Sequence, residues 1–182
     1  MSVLARTGWS GLLTPDTRYH PSSVIQSHGP TWLAVEFFQG NKLYRLKPNC
    51  DGGLILQKRF YTELICPGSA LGGTIDTAIT GVFSFGSTLI SEPFDPLDRQ
   101  QAFQCRLNQS NHLKHLMQEQ SPFHRTSLLL EQLQELVGMS EIGSIPAELL
   151  GQLIGLPLKR IETVRSLLLE GELRHREEEC KL

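Results

Sequence analysis

A short set of polar and basic side chains near the end of the chain has the types and spacing of a nucleic-acid reading surface. Lys159, Thr163 and Ser166 are separated by four and three positions, so they line one face of a helix. Arg160 and Arg165 flank that face. Hydroxyl and ammonium groups suit base edges in a major groove, whereas flanking arginines suit phosphates. The other interpretation, an ordinary solvated helix face, stays open for these residues taken alone.

These side chains must be positioned by the segment 146–173. The pattern of apolar residues and glycines in this segment predicts two short helices joined by a tight turn. Apolar residues recur at helical spacing up to Ile154 and stop at Gly155, which can end a helix in the left-handed conformation. In the second helix Ile161 begins an apolar stripe, so the polar set faces outward. Gly151 supplies the small residue that a close helix crossing needs. These offsets favour a helix-turn-helix over an ordinary helical hairpin.

Other patterns that could carry chemistry are weaker. The strand region has no His-x-His set, which argues against a cupin-type metal enzyme, and no Gly-x-Ser-x-Gly elbow occurs. We interpret Cys66 as a packed cysteine rather than a reactive thiol, and the glycines of 68–73 as tight turns rather than an anion-binding loop. His112 and His115 are interpreted as surface or interface histidines. We therefore expect no enzyme, with no catalytic residue, metal ligand or cofactor.

Composition limits the classes of protein. The 182 residues, 40% of them hydrophobic, are enough for a globular core, and four scattered cysteines without a CxxC pair indicate neither a zinc ribbon nor a disulfide framework. No apolar run is long enough to span a membrane and no leader pattern occurs, so we expect a cytoplasmic protein. The net charge of −2 and the seven basic against ten acidic residues of 121–182 lower the expected affinity for nucleic acid without excluding it.

The order of elements is a β-rich lobe, then helices. Short apolar segments separated by turn residues every eight to twelve positions or so predict a small antiparallel sandwich or barrel. These segments are Val24-Ile25, Trp32–Phe38, Lys42–Leu46, Gly53–Gln57, Tyr61–Ile65, Ile79–Phe85 and Ser87–Ile90. The helical segments are Pro96–Leu107, Asn111–Glu119 as a second helix or its continuation, and Phe123–Val137, which starts at a Ser121 cap and ends at Gly138. Short strands are predicted at Ile142–Ile145 and, as the start of a wing, at Leu173–Arg176.

This order, with specific residues, resembles the Crp/Fnr family of bacterial transcription factors over about residues 18–176. YHPSSVIQSHGPTWLAVEFFQGNKLYRL resembles the family's opening strands, with Gly29 and Gly40 at turns, and LICPGSALGG resembles the segment that leads to the ligand cassette. HRTSLLLEQLQELVG, which includes Arg125, resembles the helix before the reader domain. GQLIGLPLKRIETVRSLLLEGEL resembles the helix-turn-helix and the approach to the wing.

The resemblance implies an α+β fold and a DNA-binding transcriptional regulator. Residues 18–93 would form a double-stranded β-helix, a jelly roll like those that bind cyclic nucleotides, residues 94–121 the linking and dimerisation helices, and residues 122–182 a winged helix-turn-helix. Its implied partners are double-stranded DNA, a second copy of the chain and RNA polymerase. The seam of the dimer is expected between Leu107 and Val137. The implied DNA-binding residues are Lys159, Arg160, Thr163, Arg165 and Ser166.

Departures from the family pattern bear on mechanism. The stretch Gly72–Thr80, which corresponds to the ligand cassette, has no arginine to compensate a cyclic phosphate, so we expect no cyclic-nucleotide binding. No cysteine precedes Cys50, so the family's iron–sulfur mechanism is unsupported. Pro122 follows Leu107 by only fifteen positions, which predicts a linking helix shorter than usual. An alternative function, a non-enzymatic protein-interaction module with a degenerate sensor, is favoured by the acidic C-terminal region.

Overall fold

The computed structural model of the protein describes residues 24–167. The strands are β1 (Ile25–His28), β2 (Thr31–Leu33), β3 (Leu43–Leu46), β4 (Gly52–Lys58), β5 (Thr62–Ile65), β6 (Ala70–Gly72) and β7 (Ile79–Ser91). The α-helices are α1 (Pro96–Gln118), α2 (Pro122–Val137), α3 (Met139–Ile142), α4 (Ala147–Ile154) and α5, helical over 158–167. Short 3₁₀ helices lie at Val35–Phe37 and Gly73–Ile75. The predicted strand at Leu173–Arg176 lies outside the described residues.

The long strand β7 organises a curled antiparallel sheet. Its first half pairs with β2 and β4, and its second half pairs with β1 and β3; β5 then extends from β4 and β6 from β3. Gly86 lies where the two halves meet, with φ of 65°. A Cβ there would come within 2.3 Å of the Asp51 carbonyl oxygen, so only glycine fits this crossing. The sheet therefore bends into a half-barrel around one continuous strand.

Two features of this sheet differ from the sequence prediction. Ile79–Phe85 and Ser87–Ile90 were expected as separate strands, but they form the single strand β7 because Gly86 bends the chain without ending the hydrogen-bonded ladder. Strand β6 falls in the glycine-rich stretch expected to hold only turns. It forms because Leu71 is fully buried and its neighbours pair with β3.

The helices begin and end largely where their capping residues predict. Ser121 accepts a hydrogen bond from the His124 backbone N–H at the start of α2, and Gly138 ends that helix at φ of 75°. The two predicted segments after Pro93 form one helix of 23 residues, α1, which is the continuation that the sequence allowed. The predicted strand at Ile142–Ile145 is wrong, because this segment closes α3 and a turn that buries Ile142 and Ile145.

One hydrophobic core joins the sheet to the helices. Side chains of β4, β5 and β7 pack against α1, α2, α4 and α5 in a single cluster, while a second cluster, which includes Leu54 and Leu56, lies on the opposite face of β4. The sheet members of the shared cluster are Ile55, Leu64, Phe83 and Phe85. The helical segment that carries the expected reader is therefore packed on the sheet of the same chain. Among residues 24–167, no helix is both long and apolar enough to cross a membrane.

Candidate functional site

The α4–α5 pair has a tight crossing that depends on two glycines. Gly155 ends α4 in the left-handed conformation, with φ of 65° and ψ of 37°. The Gly151 carbonyl accepts a hydrogen bond from the Leu156 N–H at 2.9 Å. A Cβ on Gly151 would lie 2.6 Å from the Leu156 carbonyl oxygen and 3.6 Å from Cγ1 of Ile161. The predicted small residue, the turn glycine and the returning isoleucine are thus in contact.

The face of α5 directed away from the core is polar. Ile161 and Val164 are buried, whereas Lys159, Thr163 and Ser166 are exposed, as their helical spacing predicts. The Thr163 hydroxyl donates to the Lys159 carbonyl at 2.8 Å, so the threonine presents its methyl group as well as an oxygen. An exposed ammonium, hydroxyl and methyl on one face are groups that contact base edges.

The two arginines beside this face differ in their surroundings. Arg160 is exposed and borders a cavity of about 230 Å³ that is also lined by Ser121 and Phe123 at the N-terminus of α2. Arg165 is half-buried and donates to the Ile145 carbonyl at 2.9 Å. Arg160 is therefore free to meet an anion, while Arg165 fastens α5 to the α3–α4 turn. Contact of any of the five predicted residues with DNA remains a prediction.

Arg125 joins the linking helix to the α4–α5 pair. Its guanidinium donates to the Glu119 carbonyl, at 3.1 Å from Nε and 2.5 Å from Nη2, and to the Ile154 carbonyl at 3.1 Å from Nη1. Glu119 follows α1 and Ile154 closes α4, so one cation satisfies carbonyls at two helix C-termini. Gln152 adds a link to the sheet, because its Oε1 accepts from Gln57 and Thr62.

The stretch Gly72–Thr80, which the sequence predicts as the counterpart of a ligand cassette, is held together by its own carboxylate. Asp76 is fully buried and accepts from the Gly72 N–H at 2.7 Å. Arg106 of α1 binds both of its oxygens, at 2.5 and 2.7 Å, and Lys58 of β4 lies 2.9 Å away. Glu63 pairs with both cations and completes a neutral cluster of two acids and two bases. The cluster ties the cassette to the linking helix.

The charges of this cluster fix one another's ionisation. Burial alone would raise the pKa of Asp76, but the hydrogen bonds and charges of Arg106 and Lys58 outweigh it and hold the pKa below its ordinary value. Burial likewise opposes the charged form of Lys58, yet Asp76 and Glu63 leave the lysine pKa raised. Asp76, Lys58 and Arg106 are therefore charged at neutral pH. Sequence reasoning missed the cluster because Arg106 lies 30 positions after Asp76 and no local pattern links them.

Comparison with known proteins identifies the fold. Neither a family profile nor a curated protein matches the sequence. Among solved structures, that of FixK2 from Bradyrhizobium japonicum aligns over 83% of this chain and 86% of its own, with a TM-score of 0.53 and 10% sequence identity. The chain has the fold of FixK2. FixK2 is a Crp/Fnr family regulator, so the expected architecture of a curled sheet followed by helices is supported at the level of fold.

The Cys66 thiol and the possible metal ligands of residues 24–167 have defined surroundings. Burial raises the pKa of the Cys66 thiol to about 12, so it is a neutral thiol at physiological pH and not a nucleophile. Within residues 24–167, no group of three or more His, Cys, Asp or Glu side chains is placed to hold a metal ion.

Proposed function

We propose that the protein is a DNA-binding transcriptional regulator of the Crp/Fnr type. In this proposal residues 18–93 form a sensor-like β-roll, residues 94–121 a linking and dimerisation helix, and residues 122–182 a winged helix-turn-helix. The observation that carries it is the polar, exposed face of α5 on a helix whose opposite face is held in the core by Ile161 and Val164. A helix presented in this way fits a major groove.

Each residue of the proposed interface has a role set by its position. Lys159, Thr163 and Ser166 contact base edges, because they share the outward face of α5. Arg160 contacts a phosphate beside the N-terminus of α2, where backbone N–H groups also favour an anion. Arg165 lies beside the groove and acts mainly by holding α5 on the Ile145 carbonyl.

Dimerisation is proposed along α1. Phe103, Leu107 and Met117 are exposed by 39%, 52% and 46%, and helical geometry places them on one side of the helix. Large apolar side chains in such a stripe favour burial against a second copy. A dimer would also place two reader helices at DNA half-sites that lie one helical turn apart, roughly 34 Å. No feature of residues 24–167 supports a contact with RNA polymerase, and none is proposed.

We further propose that the sensor-like lobe does not respond to cyclic nucleotides. A bound phosphate needs a cation in the cassette, but Lys58 and Arg106 are held by Asp76 and Glu63. Arg45 is paired with Asp98 of α1. An incoming phosphate would have to displace a buried carboxylate from these pairs, at a cost of several kcal/mol.

The decisive experiment is a Lys159→Ala/Thr163→Ala double variant. The wild-type protein first selects genomic fragments, and both proteins are then titrated with the best fragment at fixed salt by fluorescence anisotropy. We expect a loss of roughly 1–3 kcal/mol for each base-edge contact removed. The Arg160→Ala variant should instead weaken binding to all sequences alike and reduce the salt slope by about one.

A matched control removes one basic and one hydroxyl side chain from turns of the β-rich lobe. Arg59 and Thr77 are exposed, so an Arg59→Ala/Thr77→Ala variant loses one positive charge and one hydroxyl without touching α5. Its DNA affinity should equal that of the wild type. Undiminished binding by the folded α5 double variant would overturn the proposal. The protein-interaction alternative would then lead, since Leu167 is 52% exposed and Glu162 lies on the same outward side.

A further inference from the structure

The closed end of the β4–β5 hairpin, residues 57–63, carries polar side chains on both of its faces. Gln57 and Thr62 lie opposite one another in the strand pair. Successive side chains of a strand point to opposite faces, so the next residues along the chain, Lys58 and Glu63, lie on the other face. This hairpin end is therefore held from two sides.

Helix α4 is bound to the first face. Oε1 of Gln152 accepts a hydrogen bond from Nε2 of Gln57 at 3.2 Å and from Oγ1 of Thr62 at 3.0 Å, so one oxygen joins α4 to both strands. The Gln57 amide lies directly over Gly81, where a Cβ would come within 2.6 Å of its oxygen. These contacts fix α4 to the hairpin end, in addition to the apolar contacts that α4 makes with the sheet.

The stretch Gly72–Thr80 is bound to the second face and to the backbone of the hairpin end. Nζ of Lys58 lies 2.9 Å from Oδ1 of Asp76, and the lysine side chain is only 5% exposed. The Thr80 hydroxyl donates to the Gln57 carbonyl at 3.3 Å. Close-packed groups have little free space to absorb a displacement. A shift of Asp76 must therefore move Lys58 and, with it, the neighbouring Gln57.

We propose that the hairpin end is a positioning link, which passes a change in Gly72–Thr80 to α4 and, through the close α4–α5 crossing, to the outward face of α5. Hydrogen-bond networks and packed side chains carry energetic coupling between distant parts of a protein. Gln152 is then a positioning residue and not a DNA contact. The inference rests on the proposed function only where the α5 face is said to contact DNA.

The link is tested on the full chain without DNA, by a double-variant cycle. Asp76→Asn changes the Gly72–Thr80 side, Gln152→Leu removes the acceptor on α4, and a third variant carries both changes. Hydrogen exchange of the amides of Ala147–Ile154 is measured for all four proteins at one pH. We expect Asp76→Asn to speed this exchange about threefold more when Gln152 is present than when it is replaced, because only the general loss of stability remains in its absence.

Three further variants serve as controls. Asp98→Asn breaks another ion pair between the sheet and α1, one that lies outside the hairpin, so its effect on α4 exchange should not depend on Gln152. Glu63→Gln is a milder change of the same ion-pair cluster and takes the place of Asp76→Asn in the cycle if that variant does not fold. Gln101→Leu, the same substitution at an exposed position of α1, should leave α4 exchange unaltered.

Two outcomes would overturn the proposal. The first is an effect of Asp76→Asn on α4 exchange that is equal with and without Gln152. The second concerns α5: with a DNA fragment selected by the wild type, Gln152→Leu should weaken binding about threefold or more without changing the salt slope, because no phosphate contact is lost. Unchanged affinity would show that the link ends at α4. A wild type that binds no DNA would refute the proposed function, while the exchange cycle would still decide the link.

Discussion

At the scale of single residues, Asp76 is the buried centre of a cluster of ion pairs that joins the sheet to α1. It has no exposed surface, yet it stays ionised because Arg106 and Lys58 bind its oxygens directly. Burying ions costs free energy that only close pairing offsets, so removing one member leaves the others uncompensated. The cluster thus holds the Gly72–Thr80 stretch against α1.

Asp76→Asn should be destabilised by about 3 kcal/mol at pH 7, because Lys58 and Arg106 then share only Glu63. The folded-state pKa of Asp76 lies below its ordinary value of 3.8, so its stabilising effect is complete above that pH and is lost as the pH falls through the folded value. Urea unfolding of wild type and variant from pH 7 to pH 3 should show a stability difference that is constant above about pH 4 and begins to shrink below it.

Asp51→Asn is the matched control. Asp51 is exposed, so the same change of carboxylate to amide should alter stability by no more than about 0.5 kcal/mol. A constant difference between Asp76→Asn and wild type across the whole pH range would contradict the assigned ionisation. A variant as stable as the wild type would show that the cluster contributes nothing to folding.

At the scale of elements, the α4–α5 crossing depends on the absence of a side chain at Gly151. A Cβ there would lie 2.6 Å from the Leu156 carbonyl oxygen, which belongs to the rigid turn and cannot move away cheaply. Gly151→Ala should therefore destabilise the protein by about 1–3 kcal/mol, although alanine is the better helix former. Thermal unfolding followed by circular dichroism measures the loss.

Gly143→Ala provides the comparison, since its Cβ would make an ordinary contact of 3.5 Å with the Ser140 carbonyl oxygen. That variant should be nearly neutral. If Gly151→Ala were equally neutral, α4 and α5 would cross with more space than the structure shows, and the close crossing inferred from the sequence would be wrong.

The elements that the sequence predicts correctly are those with local signals. Ser121 and Gly138 bound α2, and Gly155 ends α4, because caps and left-handed residues act within one turn of a helix. The predictions that fail concern segments whose structure depends on contacts with residues distant in the chain. Strand β6 exists because β3 pairs with it, and Ile142 and Ile145 are buried by the surrounding helices, which no short window of sequence records.

At the scale of the whole molecule, the sheet and the helices share one hydrophobic core. The carboxylate of Asp76, in the stretch Gly72–Thr80, is paired with Lys58 and Arg106. In our proposal the basic side chains beside Gly72–Thr80 are already paired with carboxylates, so millimolar cyclic AMP or cyclic GMP should leave the melting temperature unchanged. A ligand that binds only the folded state must raise that temperature by mass action. A saturable rise would show that a phosphate displaces Asp76 from Arg106 or recruits another cation.

The candidate site could be predicted only in part from the sequence, because some of its contacts join residues that are far apart in the chain. The outward face of α5 follows from helical spacing, so Lys159, Thr163 and Ser166 were placed correctly as exposed. The hydrogen bond from Arg165 to Ile145 spans 20 positions, and the bonds from Arg125 join three helices. Such long-range pairs depend on how elements pack, and no periodicity encodes them.

In our proposal the oligomeric state of the protein depends on α1. The helix has 23 residues, about 35 Å at 1.5 Å each, long enough for two copies to pair along the Phe103, Leu107 and Met117 stripe. Leu107→Glu should convert a dimer into a folded monomer, because a charge on the seam cannot be buried unpaired. Sedimentation at micromolar concentration measures this. Gln101→Glu adds the same charge on the opposite side of α1 and should remain dimeric. A wild-type protein that is strictly monomeric, with and without DNA, would rule out the two-headed reader.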